Sequence, residues 1–227
     1  MCSRSSLDPG LPEDSKDKKM NSQYAQYGCG LCAPPDWRNF DTSPTLRLQK
    51  LPLIGRRVRN LGNEPFPKNV EYGDIVRGLP LAAGSCKAVY CSHVLEHLAL
   101  EEFRAALKNT REYLEEGGTF RFVLPDLERL AKDYLESDDP GAASVFMEEA
   151  YLGKKSRARG FNGFVRSWMG NSAHLWMWDY KGMTAELGQV GFRQIRRAEF
   201  GDSQDTHFAE VEELHRWQGC LGVECVR

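Results

Sequence analysis

An α/β fold built on a mostly parallel sheet, with helices on both faces, is what this chain predicts, and three observations predict it. First, a strand, a helix and a strand follow one another between Ala88 and Leu124. Ala88–Cys91 are strand formers, apolar residues at helical spacing follow at Leu98, Phe103, Ala106, Leu107 and Leu114, and Thr119–Leu124 is again strongly apolar. Second, candidate strands end in glycine or a carboxylate, at Gly28-Cys29-Gly30, Asp41, Asp74 and Asp126. That is the pattern of a ligand crevice along the carboxyl edge of a parallel sheet. Third, 227 residues of 41% hydrophobic content suffice for one core with a small subdomain.

Taken in order, residues 1–21 mix Asp, Glu, Lys, Ser, Pro and Gly with almost nothing apolar and are expected to form a disordered tail before a folded domain at 22–227. Gln23–Tyr27 is a short strand candidate running into Gly28-Cys29-Gly30, where glycines permit positive φ and close approach of a ligand to the backbone. Pro34-Pro35 forbids a helix before the next strand, Trp37–Asp41. Thr42–Lys68 has no clean period and is expected to be a connection with one short helix, and Asn69–Asp74 is a third strand closed by Gly73-Asp74. The helix after the central strand is predicted to stop at Gly117-Gly118. Two helices, Leu127–Leu135 and Ala142–Leu152, flank Asp138-Asp139-Pro140-Gly141, and a lid insertion is expected over about 138–175. Tyr180, Met183, Leu187 and Val190 give a last helix stopped by Gly191, and Gln194–Phe200 and Leu221–Val226 are the closing strands.

The totals exclude several classes of function. Thirty Lys and Arg against 32 Asp and Glu leave no overall basic field for nucleic acid or an anionic membrane surface. No apolar run approaches the roughly 18 residues needed to span a bilayer. Seven scattered cysteines, an odd number, and a polar N-terminus with no apolar core point to a reducing, cytoplasmic setting.

Cys91, Ser92 and His93 fall at the carboxyl end of the central strand, where chemistry would be done. His93-Val94-Leu95-Glu96-His97 also fits H-x-x-E-H, a pattern in which two histidines hold zinc and the glutamate acts as base. Its plainer reading makes Glu96 and His97 part of a helix start, where negative charge is favourable. Cys29-x-x-Cys32 has no second Cys-x-x-Cys to complete a zinc site and is read as incidental to the glycine loop. Lys154, Lys155, Arg157, Arg159 and Arg166 interleave with Phe161, Phe164 and Trp168. That segment is read as a lid rather than a nucleic-acid platform, and its cations would suit an anionic small substrate. His174 titrates near neutrality and is a candidate general base; Asp126 at the end of the fourth parallel strand is a second, with a helix N-cap as its plainer role, and His93 is a third.

Together, Tyr27-Gly28-Cys29-Gly30, Trp37-x-Asn39-x-Asp41, Leu79-Pro80, Ser92–Leu98, Gly117-Gly118, Val123–Leu127 and Gly191-Phe192 resemble the class I S-adenosylmethionine-dependent methyltransferases, in particular a bacterial-type branch of predicted methyltransferases. The resemblance runs from about Tyr24 to the C-terminus and implies a Rossmann-like class I methyltransferase fold with S-adenosyl-L-methionine as cofactor. It implies that Tyr27, Gly28, Cys29 and Gly30 form the loop beside the methionine part and that Asp41 accepts the ribose hydroxyls. It further implies that Asp74 meets the adenine amino group, with Ile75 against the ring, and that Ser92 and His93 line the floor near the methionine end.

The expected function is transfer of a methyl group to an oxygen or nitrogen of a small acceptor, with no nucleic acid and no membrane as partner. Two alternatives stand beside it. Cys32 in place of a third loop glycine, and a first strand carrying Gln23 and Gln26, allow a non-catalytic cofactor-binding adaptor of the same fold. The other is a zinc-dependent hydrolase using His93-x-x-Glu96-His97.

Overall fold

The structure, a computed structural model, describes residues 23–50, 64–153 and 173–227. The expected tail, Arg56, Arg57 and Arg59 of the connection, and the basic and aromatic residues of the lid from Lys154 to Trp168 lie outside the described residues.

Among the described residues seven strands form one sheet: β1 (Tyr24–Tyr27), β2 (Arg38–Asp41), β3 (Val70–Tyr72), β4 (Cys86–Ser92), β5 (Leu114–Pro125), β6 (Arg193–Ala198) and β7 (Cys220–Val226), in spatial order β3-β2-β1-β4-β5-β7-β6. The pairings among β3, β2, β1, β4 and β5 are all parallel, and β7 runs antiparallel between β5 and β6. Strand order reverses beside β1, so the carboxyl ends of β1 and β4 lie at the switch point where open sheets of this kind place their ligand crevice.

Alternation along the strands builds two cores. Val89 and Cys91 of β4 and Phe120, Phe122 and Leu124 of β5 face one way, where they meet Phe103, Ala106 and Leu107 of helix α2 (Leu100–Tyr113), and Met183 and Leu187 of helix α5 (Tyr180–Val190). Gly191, at φ 99°, closes α5 in the left-handed conformation as expected, and Asp179 caps its start through Gly182 N–H. Ala88, Tyr90 and Val123 face the other way and pack against Phe208, Val211 and Trp217. These come from a 3₁₀ turn (Thr206–Glu210) and a four-residue helix α6 (Leu214–Trp217), both in the link between β6 and β7. The ten residues between β1 and β2 hold no helix.

Arg121 points to that second face from the middle of β5 and is fully buried. Its guanidinium donates to Glu212, Asp202, Glu224 and the Glu199 carbonyl, and its charge lies 4.6 Å from the Trp217 ring centroid. A buried cation needs such partners, and here they tie the β6–β7 link to the sheet.

Gly117-Gly118 does not stop the helix. α2 ends at Tyr113 and β5 begins at Leu114, so the pair lies inside the strand, opposite a register shift between Cys86 and Ala88. Gly117 has φ 82°, and a Cβ on Gly118 would stand 3.0 Å from the Cys86 carbonyl. A bulge and a helix stop both call for glycine at positive φ, and the bulge won here. The remaining helices are α1 (Pro44–Gln49), the short helix expected after β2, α3 (Leu127–Glu136) and α4 (Ala142–Glu149). Among the described residues no helix is long and apolar enough to cross a membrane.

Candidate active site

The crevice begins in the loop after β1. Gly28 and Gly30 adopt φ of 70° and 55°, Cys29 N–H donates to the Phe40 carbonyl, and Gly30 N–H donates to Asp41 Oδ2 at 3.0 Å. Asp41 Oδ1 accepts from Ser43 N–H at 2.7 Å, so this carboxylate fixes the loop against the start of α1. The two glycines serve different ends. A Cβ on Gly28 would stand 2.0 Å from Val94 Cγ2, whereas one on Gly30 would meet only Arg216 Nη2, at 3.9 Å.

The side chains of Tyr27 and Cys29 turn away from the loop. Tyr27 is buried against α2, where its hydroxyl accepts from Thr110, and Cys29 packs with Leu46 and Val70. Burial raises both groups' pKa, so Cys29 stays a neutral thiol, and only the backbone of these two residues borders the crevice. Asp74 closes the turn after β3, accepting Val76 N–H at 2.9 Å, and Ile75 beside it is buried.

At the end of β4, His93 is held at φ 52°, uncommon for a residue with a side chain. Its Nδ1 lies 3.1 Å from Glu96 Oε1 and its Nε2 lies 2.9 Å from the Arg216 carbonyl. Both partners are pure acceptors, so the ring carries both protons. Burial opposes that charge, but Cys220, Glu96 and the Arg216 carbonyl outweigh it and raise the pKa to about 10. An imidazolium with both nitrogens engaged is not a base, which corrects the expectation for His93 as a proton acceptor. The side chain of Arg216 turns back over the crevice floor, donating to Ser92 Oγ at 3.3 Å and to Glu213 at 3.0 Å. Arg216 went unnoticed in the sequence, because nothing local to His215-Arg216-Trp217 announces a neighbour 124 positions earlier.

Beyond His93 the carboxyl ends of β4 and β5 open into a cavity of about 760 Å³, with His93, Glu96, His97, Tyr151, His174 and Cys220 among its lining. Leu175 and Trp176 donate their N–H groups to the Glu96 carbonyl, and His97 Nδ1 lies 3.1 Å from the Ala173 carbonyl. These bonds bring His174, 77 positions along the chain from His97, to a ring-to-ring distance of 5.1 Å from it. Burial lowers the His174 pKa, leaving it neutral, and its Nδ1 is buried without a partner.

Asp126 stands apart from this cavity. Its Oδ1 caps α3 through the N–H of Glu128 and Arg129, and its Oδ2 takes Arg197 Nη1 at 3.3 Å. The N-cap and ion-pair roles account for Asp126, and it is not among the cavity's lining residues. The one arginine of the lining, Arg129, is paired with Asp133 and Glu149, so the described wall offers no free cation to an anionic acceptor.

Residues 52–122, about a third of the chain, match the family model described as "Methyltransferase domain". No curated protein matches the chain. Among solved structures, an S-adenosylmethionine-dependent methyltransferase from Thermotoga maritima is similar at 12% identity and TM-score 0.49, over 92% of this chain and 87% of that one. One from Archaeoglobus fulgidus is similar at 14% identity and TM-score 0.48, over 94% and 90%. A magnesium protoporphyrin IX methyltransferase from Synechocystis, with bound S-adenosylhomocysteine, is similar at 14% identity and TM-score 0.46, over 93% and 77%.

Proposed function

We propose that the chain, with a methyltransferase-domain match in its central part and this sheet order, is a class I S-adenosylmethionine-dependent methyltransferase that methylates an oxygen or nitrogen of a small acceptor held in the cavity beside His174. When bound, S-adenosylmethionine supplies an electrophilic methyl group open to in-line attack. The residues present fit that cofactor. Gly30 leaves the loop backbone open to a ligand, and each Asp41 oxygen keeps a lone pair for a ribose hydroxyl after accepting one backbone N–H. The Arg216 guanidinium, between Gly30 and Ser92, offers a cation to the methionine carboxylate.

The chain's own work is then to hold the acceptor in line, exclude water and ease the loss of the acceptor's proton. His174 is the residue we assign to acceptor activation. One observation carries this: a neutral imidazole with a buried, unpartnered Nδ1 stands at the wall of the cavity that adjoins the crevice. His93, doubly protonated, and Asp126, committed to α3 and Arg197, lack a free basic atom for it.

The test is release of S-adenosylhomocysteine when the full-length protein is incubated with cofactor and the low-molecular-mass fraction of a cell extract. His174→Ala should lower that release by roughly 10²-fold or more while leaving cofactor affinity intact. Equal release by wild type and variant removes His174 from the reaction. Cofactor binding with no stimulated release from any fraction favours the non-catalytic adaptor.

A further inference from the structure

Glu96, His97 and His174 present a chemical contradiction as they stand. One ligand atom from each lies within 4.8 Å of the other two. Glu96 is fully buried; its Oε1 takes His93, and its Oε2 has no partner. His97 Nδ1 is committed to the Ala173 carbonyl, which as an acceptor requires the proton on Nδ1 and leaves a lone pair on Nε2. His174 is 8% exposed, and its Nδ1 is buried without a partner. A buried glutamate oxygen and a buried imidazole nitrogen, both without partners, thus belong to the same three-residue cluster as His97, and a positive centre there would satisfy them.

We propose that Glu96, His97 and His174 bind a single divalent transition-metal cation of the Zn²⁺ type at the wall of the cavity. Two imidazoles and one carboxylate suit Zn²⁺, Co²⁺ or Fe²⁺, and not Mg²⁺ or Ca²⁺, which take oxygen ligands. Ligand bonds of about 2.0–2.1 Å place neighbouring ligand atoms roughly 3.4 Å apart, so the three atoms close by about an ångström on binding. The outer contacts suit ligation: the Ala173 carbonyl on His97 Nδ1 orients that ring, and His93 holds the glutamate. The site differs from the H-x-x-E-H expectation in two ways. Glu96 is a ligand here rather than the base. His93 supports Glu96 rather than binding metal, and His174 takes its place.

Three protein ligands leave coordination positions facing the cavity. On the reading given under Proposed function, these would receive the acceptor's oxygen or nitrogen, so His174 activates the acceptor through the cation. Metal binding itself does not depend on that reading.

The experiment is titration of full-length, chelator-stripped protein with Co²⁺ alone and then Zn²⁺, by calorimetry and visible absorption, on wild type, His97→Ala and His174→Ala. Wild type should bind one Co²⁺ with a d–d spectrum lacking a thiolate charge-transfer band, and Zn²⁺ should displace it. Each variant should bind at least 100-fold more weakly, with cofactor affinity and circular dichroism reporting its fold. Equal affinity in wild type and both variants, a thiolate band showing the ion at cysteines, or no stoichiometric binding would each overturn the site. Loss of metal binding with cofactor binding intact would sink this inference alone. Metal binding without cofactor binding would keep it and sink the methyltransferase reading.

Discussion

His93 and Arg216, 123 positions apart, are joined by a 2.9 Å hydrogen bond from His93 Nε2 to the Arg216 carbonyl. That bond pins the β6–β7 link over the carboxyl ends of the parallel strands, and it leaves the Arg216 guanidinium reaching Ser92. The crevice therefore has one wall from the glycine loop and another from a segment nearly at the chain's end. The cavity lined by His97 and His174 begins on the far side of the same histidine.

Gly28 is required by Val94 as much as by any ligand. Gly28→Ala puts a methyl group 2.0 Å from Val94 Cγ2 at a φ of 70°, and should lower stability by roughly 2–4 kcal/mol from strain and overpacking together. Adding Val94→Ala should recover the overpacking part and not the strain, and thermal denaturation of the single and double variants reads both. Full recovery in the double variant would show that backbone strain at Gly28 is negligible.

Arg121 holds three carboxylates, of which the Glu212 side chain is 1% exposed and that of Glu224 13%. Arg121→Met should cost about 3–5 kcal/mol in urea unfolding, because it strands buried negative charge. Pairing it with Glu212→Gln should return part of that loss. A loss below about 1 kcal/mol would mean that the β6–β7 link is held by Phe208 and Trp217 alone.

How much of this was legible turns on sequence distance. The central strand, the last helix with its Gly191 end, and the strand-end carboxylates are local features, and local chemistry wrote them plainly. Gly117-Gly118 misled because a bulge and a helix stop use the same residue at the same φ. The cavity wall was half legible: His93, Glu96 and His97 stand out as a motif, but which of them faces the cavity with a free atom is decided by Arg216 and Ala173, more than 70 positions away in each case. The positive φ of Gly28 and Gly30 follows from their place after β1, whereas the burial of the Tyr27 and Cys29 side chains depends on α1 and α2 packing beneath the loop.

Acid stability should depend on Asp202. Burial works against its charge, but Arg196, the Glu199 backbone and Arg121 hold its pKa at about 2, below an unfolded value near 3.9. A depressed folded pKa contributes stability that is present above about pH 4 and disappears as pH falls toward 2. Asp202→Asn should accordingly destabilise the protein at neutral pH and converge with wild type near pH 2, modestly because the side chain is one-third exposed. Parallel stability curves between pH 5 and 2 would contradict this.

The central claim is that the crevice between β1 and β4 holds S-adenosylmethionine, and calorimetric titration of the full-length chain with that cofactor and with S-adenosylhomocysteine tests it most directly. The account predicts saturable one-to-one binding of both, weakened by roughly 1.5–3 kcal/mol in Asp41→Ala for the lost charge-assisted hydrogen bonds. No saturable binding by the folded wild-type protein at millimolar ligand would contradict it.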